Sequence, residues 1–421
     1  MTSLDRLFQE YVDAPSLELG HDFPKEEYDL RVQRARELMS KQGLDALVVC
    51  SSANGRYFTS GTVPHEWHDR ITTRAEFYVL TLDDDYLFLS PTMGGEVLNT
   101  ARKRTWVRNI GNVVERHEKK DRFEIWGVEW MVKAFRELKL EKARLGWELG
   151  DCQSLGVSYN DFLEFNRLMP EAKFIDASPM LRRLHQFQTP LQLERIRKAC
   201  YGGALMHDQV VDIARVGMTE REFAREMSKR FEELKLGPGY SWDGGGYSDA
   251  RNPRRPEMDT MFKGVMTDRP FMEGDVFCKG SSGVSFMGQG ADIDRTWHVG
   301  KKPASEVRKW YRVAYECLEA MAEALKPGAT CSEVFAVENK VAKRNGLPER
   351  LVGRNGHWSN QSGISIHPDC HLILEPGMVT SCEPTFVAKF GYFELEDIFL
   401  IIDDGCERLH KEAPEDIPCC G

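Results

Sequence analysis

Gly290-Ala291-Asp292-Ile293-Asp294-Arg295-Thr296-Trp297-His298-Val299-Gly300 is a strand-like stretch of alternating character that holds two carboxylates and an arginine. Charged side chains are seldom buried unless they are paired or bind a metal ion. Two further acidic positions, Glu383-Pro384 and Glu396-Asp397, follow far downstream, each beside a short apolar run. Carboxylates from separate strands can form a site for a hard metal ion or for acid/base chemistry. The pattern therefore predicts a site built from distant parts of the chain.

Composition indicates a globular protein without a nucleic-acid or membrane partner. The chain has 421 residues, 41% hydrophobic and 29% charged, so that two or three domains are expected. Its net charge of -10 and the lack of a basic block argue against nucleic acid as a partner. No apolar run approaches the roughly 18 residues of a membrane span. Met1–Asp5 lacks a charged-then-apolar signal pattern.

The cysteines also favour a protein of a reducing compartment. There are 11 of them, scattered apart from Cys419-Cys420, and none forms a CxxC motif. This distribution supports neither a zinc ribbon nor a thioredoxin-type motif. It is typical of reduced thiols that are buried as small apolar residues. We therefore expect a cytoplasmic protein.

The first part of the chain alternates between helical and strand patterns. Apolar residues recur at helical spacing over residues 26–42, and Gly43 ends this predicted helix. Residues 45–50 read as a buried strand, and further predicted strands and helices follow. This alternation predicts a mixed α/β domain over residues 1–185.

A second domain is predicted over residues 186–421. Thr189 is a plausible N-cap, and Pro190 suits the first position of a long helix. From about residue 240 the chain becomes rich in glycine and in strand patterns, with one helix pair between. Runs of helices followed by runs of strands indicate an α+β domain.

Several segments of the chain form a recognisable order. They are Arg31–Thr59, Thr189–Ala199, Glu273–Val276, Ala291–Thr296, Gly353–His357, Leu374–Val379 with Glu383-Pro384, and Glu396-Asp397 with Asp404-Gly405. Together they resemble the pita-bread metallopeptidase-like family (M24), which includes aminopeptidase P, prolidase, methionine aminopeptidase and creatinase-like proteins. The resemblance implies an α/β N-terminal creatinase-like domain and an α+β pita-bread C-terminal catalytic domain.

The resemblance implies a set of metal ligands. Family members bind two metal ions with two aspartates, a histidine and two glutamates, and four of these ligands have a match here. The matching residues are Asp292, His357, Glu383 and Glu396, the last three of which are also the expected catalytic residues. A different placement of alignment gaps uses His367 as the family's substrate-binding histidine and leaves Asn360, in place of His357, at the metal position.

One family ligand has no match. The family's first aspartate lies five residues after the aspartate of a Gly-Asp pair, and counting from Asp275 gives Gly280. That aspartate serves the second metal ion alone, so the resemblance predicts a site with one divalent ion (Fe, Mn, Zn or Co) or with none. Peptide hydrolysis at a dinuclear site uses both ions, so loss of the aspartate that serves the second ion disfavours a peptidase.

Three further residues are candidates for substrate binding. In creatinase a glutamate at the position of Asp294 holds a cationic group of the substrate. Arg251 stands where creatinase has its acid/base histidine, and a dimethylsulfoniopropionate lyase of this fold also has arginine there. Arg74 matches an arginine that reaches across the creatinase dimer to the substrate carboxylate, which a guanidinium suits. Purely structural roles remain open, such as pairing of Asp294 with Arg295 or Arg251.

The sequence therefore predicts a hydrolase that acts on a small zwitterionic molecule at a non-peptide C–N bond, and that forms a homodimer as its family does. Three alternatives remain open. One is a lyase of the dimethylsulfoniopropionate type on the same fold, and another is an Xaa-Pro metallopeptidase. The third is a non-catalytic pita-bread binding protein.

Overall fold

The computed structural model describes residues 22–59, 77–89, 103–112, 128–150, 153, 155–242, 249–251, 268–280, 283–347, 355–356, 364–388 and 391–421. Of the candidate site residues, Arg74 and His357 lie outside these ranges, and Arg251 is described by its main chain only. The chain divides into two compact units, Met1–Leu184 and His185–Gly421. Within the described residues, no helix combines the length and apolar character that crossing a bilayer requires.

The first unit is built on one mixed sheet of six strands in the order β4-β3-β2-β1-β5-β6. The strands are β1 (Ala46–Val49), β2 (Phe77–Thr81), β3 (Asp85–Leu89), β4 (Asn109–Asn112), β5 (Arg144–Trp147) and β6 (Lys173–Asp176). The helices are α1 (Lys25–Gln42), α2 (Ser52–Thr59), α3 (Val128–Glu137), α4 (Tyr159–Leu168) and α5 (Ser178–Gln186), which runs into the second unit.

The local sequence explains the first elements of this unit. The predicted helix over residues 26–42 is confirmed as α1, and Gly43 ends it with a left-handed φ of 62° that suits glycine. Strand β1 is buried along its whole length because it lies between β2 and β5 in the middle of the sheet. Phe77, Phe135 and Trp147 form part of the core beside it.

The second unit carries four helices and fourteen strands among the described residues. The helices are α6 (Pro190–Ile213), α7 (Glu220–Leu234), α8 (Ser305–Ala324) and α9 (Cys331–Arg344). The strands are β7 (Tyr240–Trp242), β8 (Asp249–Arg251), β9 (Val276–Gly280), β10 (Val284–Phe286), β11 (Gln289–Gly290), β12 (Asp294–Val299), β13 (Asn355–Gly356), β14 (Ser365–Ile366), β15 (Val379–Cys382), β16 (Thr385–Ala388), β17 (Gly391–Glu394), β18 (Asp397–Ile402), β19 (Gly405–Arg408) and β20 (Cys419–Cys420).

Capping side chains fix where the helices of this unit begin. The Thr189 hydroxyl accepts a hydrogen bond from the Gln192 amide, while the Gln192 side chain accepts one from the Thr189 amide. This capping box satisfies two main-chain donors and confirms the predicted start of α6 at Pro190. Thr219 with Glu222 and Thr330 with Glu333 begin α7 and α9 in the same way.

Two strand groups supply the acidic residues of the second unit. Strands β9 and β12 are antiparallel neighbours in the sheet β20-β12-β9-β8. Strands β15 and β18 are antiparallel neighbours in the sheet β15-β18-β19, and β16 and β17 form a hairpin between them in sequence. Main-chain hydrogen bonds of 3.3 and 3.0 Å between Asp294 and Glu396 join the two groups.

Candidate active site

The strand register sets the frame of the site. In the pairing of β9 with β12, Gly280 lies opposite Asp294 and Cys278 lies opposite Thr296. Residues that lie opposite each other project to the same face of a sheet, and so do residues two apart along one strand. One face of this strand pair therefore carries Asp294, Thr296 and Cys278, with no side chain at Gly280.

Acidic side chains from three strand ends converge at this face. One oxygen from each of Asp292, Asp294 and Glu396 lies within 4.8 Å of the others. A second group with the same spacing consists of Cys278, Asp294 and Glu394, so that Asp294 belongs to both. Glu396 and Glu394 are buried, while Asp292 and Asp294 are partly exposed. Both groups together are called the acidic cluster below.

Glu383 belongs to the same cluster. It follows the last residue of β15 and precedes β16, and its side chain is partly exposed. Its carboxyl shares a hydrogen bond with Glu394 and lies within electrostatic range of Asp294 and Asp292. The structure thus brings together three of the four predicted metal ligands, and His357, which would follow β13, lies outside the described residues.

Glu394 is the residue that sequence reasoning missed. Its carboxylate accepts hydrogen bonds from the Thr385 hydroxyl at 3.1 Å, the Tyr392 hydroxyl at 3.0 Å and the Cys278 thiol at 3.0 Å. These three donors satisfy the hydrogen-bonding capacity of a buried carboxylate. The signal was present in the sequence, because Glu394 lies two residues before Glu396 and alternation places both on one side of an extended segment.

The acidic cluster holds protons more firmly than isolated carboxylates do. Loss of water around Glu383 raises its pKa, and the neighbouring Glu394 raises it further. The pKa of Asp294 is raised by desolvation and then by Glu394 and Asp292. The pKa of Glu396 is raised by desolvation and then by Asp292 and Glu383. Carboxylates this close cannot all ionise unless a cation joins them.

The donor set fits a divalent metal ion. Oε1 of Glu396 is buried and has no hydrogen-bond partner among the described residues, although a buried carboxylate oxygen normally has one. The oxygens of Asp292, Glu383 and Glu396 are hard ligands, which suit first-row divalent ions when an imidazole completes the set. The predicted imidazole is that of His357.

A network of buried charges holds the strands that carry the cluster. The Arg295 guanidinium contacts Asp397 at 2.8 Å and donates hydrogen bonds of 2.8 Å to the carbonyl oxygens of Asp294 and Glu396. Asp397 is also contacted by Arg408 at 2.8 Å and by His410 at 3.4 Å. Desolvation opposes ionisation of Asp397, yet Arg295, His410 and Arg408 hold its pKa below the ordinary value.

We expect Asp397→Asn to lower the free energy of unfolding by about 3 kcal/mol, because removing one partner leaves buried guanidinium groups without their counter-charge. The matched control is Asp404→Asn, which changes an exposed carboxylate in the turn between β18 and β19. Urea denaturation of the parent protein and of both variants measures the change in the free energy of unfolding. A loss below about 1 kcal/mol, the range of surface pairs, would contradict the structural role of Asp397.

His367 has hydrogen-bonding and ionic neighbours in its own turn. Its Nδ1 accepts a hydrogen bond from the Asp369 amide at 3.1 Å and lies 3.8 Å from the Asp369 carboxylate. Neither of the two groups that form the acidic cluster includes it. Its predicted contact with the substrate stays a prediction, as do those of Arg251 and Arg74.

A mixed α/β unit followed by an α+β unit with converging carboxylates defines the two-domain creatinase and prolidase class of proteins. The chain matches the model for metallopeptidase family M24 over residues 194–403 and that for the Creatinase/Prolidase N-terminal domain over residues 31–185. The chain belongs to metallopeptidase family M24. The predicted family and fold class are therefore confirmed.

Relatives and solved structures agree with this membership. The probable dipeptidase PepE of Mycobacterium bovis is 28% identical over 56% of this chain, and the match spans 61% of that protein. The Xaa-Pro dipeptidase of Pyrococcus furiosus is 26% identical over 63% of this chain and 76% of its own length. The creatinase of a Bacillus species is 22% identical over 92% of both chains.

The fold is shared with a solved dipeptidase structure. The crystal structure of PepE from Mycobacterium ulcerans matches with a TM-score of 0.74 at 19% identity, covering 95% of this chain and 99% of the other. The named relatives in the family are hydrolases, which confirms the expectation of a hydrolase-type enzyme.

Proposed function

We propose that this chain is a metal-dependent hydrolase that cleaves a C–N bond in a small zwitterionic substrate. The observation that carries the proposal is the acidic cluster, with its buried and unpartnered Glu396 oxygen. The proposed metal ligands are Asp292, His357, Glu383 and Glu396, and the ion is Fe, Mn, Zn or Co. Similarity to a creatinase over most of the chain supports a non-peptide substrate.

In this proposal, Glu383 and Glu396 have different roles in the hydrolysis. A bound divalent ion supplies Lewis acidity, which favours attack by water at neutral pH. Glu383 receives the proton of the attacking water on its carboxylate and passes it to the leaving nitrogen, as a positioned carboxylate can. Glu396 orients the reacting groups from its buried position beside Asp294.

Substrate recognition is proposed for the cationic residues. Arg251 and Arg74 would bind the substrate carboxylate by paired hydrogen bonds, with Arg74 coming from the second copy of a homodimer. His367 would contact the substrate at a polar group. The homodimer and the cytoplasmic location stay predictions.

An Xaa-Pro dipeptide is the second candidate substrate. The similarity to the Xaa-Pro dipeptidase of Pyrococcus furiosus favours it. A further acidic side chain beside the predicted ligands, that of Asp294, also favours it, because peptide hydrolysis in this family uses more than one metal ion.

A product assay tests these candidates. The purified protein is incubated with Mn²⁺, Co²⁺, Zn²⁺ or Fe²⁺ and a panel of guanidino acids, N-acyl diamino acids, Xaa-Pro dipeptides and a sulfonium acid. We expect release of an amine and a second saturated product from a non-peptide member of the panel. Proline release would favour the second candidate, and an unsaturated acid would identify a lyase. No turnover of any panel member with any ion would count against a hydrolase.

A further inference from the structure

Two cysteines of the second unit lie next to each other, and neither belongs to the acidic cluster. Cys331 is the first residue of helix α9, and Cys370 lies in the segment 367–374, which is hydrogen-bonded to the start of this helix. The Cys331 amide donates to the Leu372 carbonyl at 3.1 Å, and the Ser332 amide donates to the Cys370 carbonyl at 2.9 Å. The thiols of Cys331 and Cys370 are within hydrogen-bonding reach of each other. The fold therefore holds two sulfur atoms side by side.

The two thiols differ in their access to solvent and in their protonation. Cys331 is buried in the core, while Cys370 is partly exposed. The hydrogen bond from the Cys331 thiol lowers the pKa of Cys370, burial opposes this effect, and nearby main-chain groups lower the pKa again, to about 6. The same hydrogen bond, and then burial, raises the pKa of Cys331. Near neutral pH the pair therefore consists of an accessible thiolate and a buried thiol that donates to it.

This arrangement suits the formation of a disulfide. The thiolate, rather than the thiol, is the nucleophile when a cysteine is oxidised. A partly exposed thiolate of low pKa beside a second cysteine is typical of thiols that react with oxidants. A disulfide requires α carbons about 4.4–6.8 Å apart, so only cysteines on closely neighbouring stretches of main chain can form one. The hydrogen bonds between the two segments hold Cys331 and Cys370 on such stretches.

We propose that Cys331 and Cys370 form a reversible disulfide when the protein meets a hydroperoxide. The Cys370 thiolate attacks one peroxide oxygen and the O–O bond breaks, so that Cys370 becomes a sulfenic acid and the other oxygen leaves, taking up a proton. The Cys331 thiol then attacks the Cys370 sulfur, and its proton leaves with the sulfenic oxygen as water. The two thiols lose two electrons, which the peroxide gains. A dithiol reverses the reaction and is itself oxidised to a disulfide. This chemistry is independent of the proposed hydrolysis.

Peptide mapping tests the proposal. The reduced protein is treated with hydrogen peroxide, its remaining thiols are blocked with iodoacetamide in denaturant, and its peptides are identified by mass spectrometry without reduction. We expect a pair of peptides that joins Cys331 to Cys370, and dithiothreitol should restore both thiols. Because the disulfide closes a loop and restricts the unfolded chain, the melting temperature should rise on oxidation and fall again on reduction.

Single variants separate the roles of the two thiols. Cys331→Ala leaves Cys370 without a partner, so Cys370 should stop at the sulfenic acid and be labelled by dimedone. This labelling is done at about pH 8.5, the ordinary pKa of cysteine, because Cys331→Ala also removes the hydrogen bond that lowers the pKa of Cys370. Cys370→Ser should leave Cys331 unreacted. The matched control is Cys406→Ser, since Cys406 is also partly exposed and its thiol donates to a carbonyl oxygen, and this variant should keep the disulfide.

Several results would overturn the proposal. Iodoacetamide on both cysteines after peroxide treatment would mean that the pair does not react. A disulfide from Cys370 to another cysteine, such as Cys382, would overturn the pairing. Sulfinic or sulfonic acid at Cys370 beside a free Cys331 would mean that the buried thiol does not attack the sulfenic acid. Folded Cys331→Ala without dimedone on Cys370 would overturn Cys370 as the thiol that reacts with the peroxide. The first three results come from the parent protein, so they decide the proposal even where a variant fails to fold.

Discussion

Glu383→Gln should lower kcat by about a thousandfold or more, since positioned acid/base groups contribute roughly 10²–10⁴ in rate. The amide keeps the size of the side chain and one oxygen, but it cannot accept the proton of water. The Glu383 side chain shares a hydrogen bond with Glu394 and lies within electrostatic range of Asp294 and Asp292, so it is held within the acidic cluster. Steady-state kinetics on the substrate found by the product assay, with bound metal counted in parallel, measures the effect.

The metal count decides how a loss of activity in Glu383→Gln is interpreted. A variant that keeps its metal and its KM but loses kcat has lost proton transfer. A variant that loses its metal has lost a ligand, which is the other role proposed for Glu383. Asp404→Asn is the control of similar chemistry at an exposed position and should retain full activity. Activity within tenfold of the parent protein in Glu383→Gln would remove Glu383 from the catalytic machinery.

Local sequence rules predicted the elements that depend on neighbours in the chain. The helix over residues 26–42 and its end at Gly43 follow from apolar spacing and from the left-handed conformation that glycine tolerates. The start of α6 follows from Thr189 and Pro190 in the same way. Each signal lies within about one turn of the residue that it explains.

The candidate site required information that no local pattern contains. Asp292, Glu383 and Glu396 were predicted because each stands in a family context, and the structure brings their side chains together. The pairing of Gly280 with Asp294 could not be predicted. Strands β10 and β11 lie between β9 and β12 in the sequence, so no single turn sets the register of this pair. Glu394 was overlooked because an acidic residue in a strand is usually exposed to solvent.

The metal-free protein should lose stability as pH rises, in contrast to most proteins with paired carboxylates. The pKa values of Glu383, Asp294 and Glu396 are raised above those of the unfolded chain, which lie near 4. The folded state therefore keeps protons that the unfolded state has released. The stabilising contribution of these three groups is complete below the unfolded pKa and declines as pH rises toward the folded values.

A bound divalent ion should reverse this trend, because metal ligands must be deprotonated and the ion supplies the missing counter-charge. The increase in melting temperature on adding Mn²⁺ should therefore grow from pH 5 to pH 8, as scanning calorimetry of chelator-treated and metal-loaded protein can measure. Glu383→Gln removes one of the three carboxyls with a raised pKa, so the melting temperature of the metal-free variant should depend less on pH. Burial raises the pKa of Asp85 to about 6. Because Asp85 titrates equally with and without metal, its contribution cancels in the difference between the melting temperatures of metal-loaded and metal-free protein. A metal-induced increase that is the same at every pH would mean that the acidic cluster does not exchange protons for the ion.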